Sequence, residues 1–74
     1  MALLIRLTRT AQDEATVTYA YGPTWEDQPG TVVIELSTGR PQDPTDPDDR
    51  LVAGWVVREQ RTTGQWVPQG QIVS

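Results

Sequence analysis

Asp46-Pro47-Asp48-Asp49-Arg50-Leu51-Val52-Ala53-Gly54-Trp55-Val56-Val57-Arg58-Glu59-Gln60-Arg61-Thr62-Thr63-Gly64 decides the fold of this 74-residue chain, because these residues admit a helical and an extended reading. As a helix, Asp46 is the N-cap and Pro47 fills the first position, where no N–H is needed. Asp48 and Asp49 then face the positive end of the helix dipole, Arg58 and Arg61 fall in the last turns, and Gly64 ends the run. Leu51, Val52, Trp55 and Val56 recur at i, i+1, i+4 and i+5 and make one apolar stripe. Glu59 projects onto the same stripe, and Gly54 with the valines at 52, 56 and 57 are weak helix formers. The rival reading pairs 51–61 with 65–73 as a hairpin through Thr62-Thr63-Gly64 and gives a small all-β barrel. The signals at the two ends agree with each other, and that agreement selects a helix over 47–63.

Working outward, residues 3–9 alternate Leu3, Ile5 and Leu7 against Leu4, Arg6 and Thr8, the pattern of a half-buried strand. Ala11 to Glu14 read as a polar turn. Val17, Tyr19 and Tyr21 then alternate with Thr16, Thr18 and Ala20 until Gly22-Pro23 stops the strand. A loop through Trp25 leads to Gly30, and 31–37 give a third strand with Val32, Ile34 and Leu36 inward. Pro68 and Gly70 point to an irregular tail from Gln65 to Ser74, whose Trp66 plugs the end of the small core in the preferred reading and makes a cation–π contact with Arg58 or Arg61 in the other. The expected fold is α+β: a single domain over 1–74, a three-stranded antiparallel meander packed by one C-terminal helix.

Composition restricts the chemistry. The chain has no His, Cys or Lys, the side chains that supply most general bases, nucleophiles and soft metal ligands at neutral pH. No disulfide or zinc site is available to a domain this small, so packing or self-association must hold it together. A cysteine-free chain fits a reducing compartment, and the apolar run Ala2 to Ile5 is too short for a signal peptide or a membrane span, so a cytoplasmic protein is expected. Lys, Asn and Phe, whose codons are AT-rich, are all absent, as in a gene from a GC-rich bacterial genome.

The net charge of −4 is concentrated. Asp43, Asp46, Asp48 and Asp49 lie together, while the remaining six acids balance the six arginines. Nucleic-acid binding needs a basic footprint that this chain lacks. Calcium is the other reading of the aspartates, but its spacing fails. An EF-hand loop from Asp43 puts Asp48 at the glycine position and Gly54 at the bidentate glutamate, and one from Asp46 puts Arg50 at a ligand position. Capping accounts for the cluster, and no cofactor or metal is expected.

The opening Leu3-Leu4-Ile5-Arg6-Leu7-Thr8-Arg9-Thr10 resembles a group of small proteins of high-GC bacteria. So do Val17-Thr18-Tyr19-Ala20-Tyr21-Gly22-Pro23, the run ending in Ser37-Thr38-Gly39, and Gly64-Gln65-Trp66-Val67-Pro68. The resemblance covers nearly the whole chain and implies three strands followed by a helix. This chain departs from the group in carrying valines where the group's last helix is Ala- and Leu-rich. The group has no assigned activity, so the resemblance implies no function.

Three functions are consistent with these residues. The first is a non-enzymatic interaction or accessory protein, immunity- or inhibitor-like, that binds another protein through Trp25, Glu26, Asp27, Asp43 and Asp46; no nucleic acid or membrane is implied. The second is self-assembly as a homodimer, hiding two sheet edges and an outer face that carries Leu4, Ala20 and Val33, with Arg6 and Glu35 as cross-strand or intersubunit partners. The third is a carboxylate enzyme built on Glu59, whose bland and preferred alternative is that the side chain snorkels to the edge or pairs with Arg6. One lone acid defines no reaction, and the expectation is a protein without catalytic residues.

Overall fold

Alternation along the strands puts Ile5 and Leu7, then Val17, Tyr19 and Tyr21, then Val32 and Ile34 on one face, where all are buried. The computed structural model describes residues 4–44 and 46–73, so Leu3 and Ser74 lie outside the described residues. In chain order the elements are β1 (Leu4–Gln12), β2 (Thr16–Gly22), β3 (Gly30–Glu35), α1 (Pro47–Thr63) and β4 (Gln69–Val73). The strands form one open antiparallel sheet in the order β3-β2-β1-β4, and α1 covers its apolar face. This is the α+β architecture expected; the sheet does not close into a barrel.

Both ends of α1 are built as the sequence indicates. The Asp46 side chain accepts the Asp48 N–H at 2.9 Å, the Asp49 carboxylate reaches back to the Asp46 N–H at 3.3 Å, and Pro47 opens the helix. Gly64 closes it with φ 81°, donating its N–H to the Gln60 carbonyl at 2.7 Å. The valines do not break the helix because packing outweighs propensity. A valine costs less than about 0.7 kcal/mol against alanine in a helix. Fully burying its side chain, as at Val52 and Val56, contributes about 1.5–3 kcal/mol.

The buried stripe differs from the expected one. It runs through Asp49, Val52, Ala53 and Val56, while Leu51 is 39% exposed and Trp55 is half-buried. An aspartate replaces a leucine on the inner face because Asp49 is both part of the helix cap and an acceptor for Tyr21 beneath it.

The tail also differs: residues 69–73 are not irregular but form β4, which pairs with β1 from Leu4↔Val73 to Thr8↔Gln69. Pro68 stands just outside this strand, and its carbonyl accepts the Arg9 N–H at 2.9 Å. Gly70 sits within it because a Cβ there would lie 2.5 Å from the Trp55 ring. The two residues read as breakers are thus a strand boundary and a packing position. The first turn is tighter than Ala11 to Glu14, since β1 continues to Gln12 with an irregularity between Arg9 and Ala11. Asp13 shapes the turn by accepting the Thr16 and Ala15 N–H groups at 2.7 and 2.8 Å, and these bonds, Thr16 first, hold its carboxyl below the usual range.

Candidate functional site

Gly22 ends β2 on the face away from α1, and the chain turns straight back over it. A Cβ at Gly22 would lie 2.1 Å from the Asp27 carbonyl oxygen and 2.6 Å from the Gln28 Cα, so the returning limb of the 23–29 loop rests directly on the strand. Inside the loop the Thr24 hydroxyl accepts the Asp27 N–H at 2.9 Å. Arg6, the cross-strand neighbour of Gly22, rises on the same face, with its guanidinium carbon 5.7 Å from the Trp25 ring centroid. Arg6 Nε and Gln28 Nε2 are buried without a hydrogen-bond partner among the described residues. Trp25 stays 42% exposed on this support, and Glu26 and Asp27 beside it are exposed.

A shallow cavity of about 310 Å³ separates the base of this loop, at Pro23 and Pro29, from the start of α1 at Asp46 and Asp48. The fold therefore brings Asp46 to the same end of the molecule as Trp25, Glu26 and Asp27. Asp43 is exposed on the connection between β3 and α1 with φ 44°, and it does not line this cavity.

Beneath that end lies a polar pair that the sequence reading passed over. The Tyr21 hydroxyl donates a hydrogen bond to Asp49 Oδ1. Burial first, and then this bond and the nearby carboxylates, raise the Tyr21 phenol well above its ordinary range, so it remains a proton donor. A signal for the pair was present: Asp49 stands three residues before Val52 and seven before Val56, on the inner stripe, and three after its cap. Tyr19 makes a comparable anchor, donating to the Val67 carbonyl at 2.7 Å.

Several expected pairings are not formed. Arg6 lies on the outer face beneath Trp25, whereas Glu59 is on the helix covering the inner face, so the two do not pair. Within one chain Arg6 and Glu35 are at opposite ends of the sheet, since Arg6 is registered with Gly22 and Glu35 with Thr16, so the cross-strand pair is not formed. Trp66 is partly buried against the core, the reading preferred from sequence, and the cation–π contact among the described residues is Arg6 with Trp25; the Trp66 carbonyl accepts from Arg9 Nη1 at 2.7 Å. Among the described residues no cluster of three acids, histidines or cysteines is placed to hold a metal ion, and no helix is long and apolar enough to cross a membrane. No family, no curated protein and no solved structure matches the chain.

Proposed function

We propose that the protein is a non-enzymatic binding protein, immunity- or inhibitor-like, that recognises a basic protein surface through the end of the molecule bearing Trp25. The carrying observation is the mounting of that tryptophan: 42% exposed, on a loop pinned to Gly22 and to its own Thr24 hydroxyl, with its ring over Arg6. A large aromatic fixed before binding loses little conformational freedom when it docks, which is what an interface anchor requires. Glu26 and Asp27 follow it in the loop, and Asp46 and Asp48 line the cavity at the base of that loop, so the complementary surface is an apolar pocket with Arg or Lys on its acidic side.

The test is comparative capture from extracts of the host cell. A partner retained by the wild-type domain is expected to be lost with Trp25→Ala, a drop of about 2 kcal/mol or more, and to be retained with Thr62→Ala at the far end of α1. Identical sets of captured proteins from all three baits would contradict the proposal.

A further inference from the structure

The two edges of the sheet are treated differently. The edge of β3 is covered by the chain's own segment 40–42: Ile34 bridges Pro41, Glu35 N–H donates to the Arg40 carbonyl, and Gln42 N–H donates to the Val33 carbonyl. β4 is the other outer strand, and among the described residues nothing covers it. The bond from Arg9 N–H to the Pro68 carbonyl sets the phase of the β1–β4 ladder. It turns the N–H and C=O groups of Gly70 and Ile72 toward β1 and those of Gln69, Gln71 and Val73 outward. Between Gln69 and Val73 there is no proline and no charge, the usual devices that keep an edge from pairing.

A groove runs beside this edge. The backbone of α1 comes closest to the sheet over β3. On the β4 side the gap is bridged by the Trp55 indole lying on Gly70, which leaves a cavity of about 400 Å³. Leu51, Trp55, Ile72 and Val73 give it an apolar lining, and Leu51 and Val73 are 39% and 66% exposed. Arg50 and Arg58 flank it, and among the described residues no carboxylate lines it, in a chain whose net charge is −4.

We propose that this edge and groove together receive an extended segment of another protein, which adds to the sheet as a fifth strand beside β4. Its groove-facing side chains read acid–x–apolar–x–acid. Backbone pairing with Gln69, Gln71 and Val73 supplies affinity, and the side chains on alternate positions supply selectivity. The apolar residue sits against Leu51 and Trp55, and the two carboxylates meet Arg50 and Arg58. The spacing fits. Eight helical residues from Arg50 to Arg58 rise about 12 Å, and four strand residues from acid to acid span about 13 Å. A second copy of this chain is the poorer occupant, because a two-fold β4–β4 seam sets Arg50 and Arg58 of each copy against the same arginines, and β4 carries no carboxylate to offset them. This surface is separate from the Trp25 end.

The experiment titrates the folded protein with a synthetic peptide centred on Glu-Thr-Ile-Thr-Glu and with its Lys-Thr-Ile-Thr-Lys counterpart, following backbone amides and the Trp55 indole N–H by NMR. The acidic peptide is expected to shift Gln69, Gln71, Val73 and Trp55. Binding should weaken about tenfold or more in Arg50→Glu/Arg58→Glu and in Gln71→Pro, a change that removes only an outward N–H. Trp25→Ala should bind the peptide as the wild type does. Equal binding of the lysine peptide, no shift at the edge amides, or undiminished binding to a folded Gln71→Pro overturns the proposal. Should Gln71→Pro not fold, undiminished binding to the charge-reversed protein overturns it. Edge-amide shifts that grow with protein concentration alone assign the edge to a second copy and overturn it too.

Discussion

Asp49 shows how much one carboxylate can organise. Oδ2 accepts the Asp46 N–H within the helix cap, while Oδ1 accepts the Tyr21 hydroxyl from the strand below. Local helix chemistry and tertiary packing therefore meet in a single buried residue. Tyr21→Phe removes one donor from that carboxylate and is expected to lower the unfolding free energy by about 1–3 kcal/mol in urea denaturation. Tyr19 gives a pH test. Burial, only partly opposed by the Arg9 charge, pushes its phenol from 10.0 up to about 12. The folded state holds this proton more tightly than the unfolded chain, so the associated stability is complete below pH 10 and is lost as pH rises toward about 12. Phenolate absorbance read alongside circular dichroism checks this: Tyr19 and Tyr21 should ionise only as the fold melts. A tyrosine titrating near 10 while circular dichroism still reports the intact fold would contradict the burial.

Among the elements, α1 was the most legible in sequence, because Asp46, Pro47 and Gly64 each act through the few backbone groups beside them. Asp46→Ala should cost about 1 kcal/mol by loss of the cap. Gly54→Ala should add about 1 kcal/mol, since nothing lies within 4 Å of the Cβ it would gain and glycine is a poor residue in mid-helix. Gly70→Ala is expected to act in the opposite direction, because its Cβ meets the Trp55 ring, and thermal unfolding of the two variants separates them. β4 was hidden for the same reason that Gly70→Ala fails. The glycine that reads as a breaker is there to admit an aromatic ring from an element many residues earlier, and no local pattern reports that contact. The inner stripe was likewise misjudged at Leu51, where size and apolarity suggested burial, but the groove beside β4 leaves the side chain exposed.

For the molecule as a whole, charge is distributed by place rather than by segment. Acids gather where the 23–29 loop meets the start of α1, and Arg50 and Arg58 line the flank of the helix toward β4. The sequence showed the aspartate cluster and put Trp25 in a loop, but not that Trp25 is exposed or that Asp46 shares its end, because that proximity depends on how α1 lies across the sheet. It gave no hint that Arg6 carries the tryptophan, since the two are joined only through the pairing of Arg6 with Gly22. Trp25→Ala should therefore leave thermal stability almost unchanged, within about 1 kcal/mol for an exposed cation–π contact, while removing binding. The most direct measurement places a photo-crosslinking benzophenone side chain at Glu26, beside Trp25, and at Thr62, near the far end of α1, in living host cells. A discrete protein adduct that forms at position 26 and not at position 62 is the expected result. No adduct at position 26, or the same adducts from both positions, would contradict a binding face at the Trp25 end.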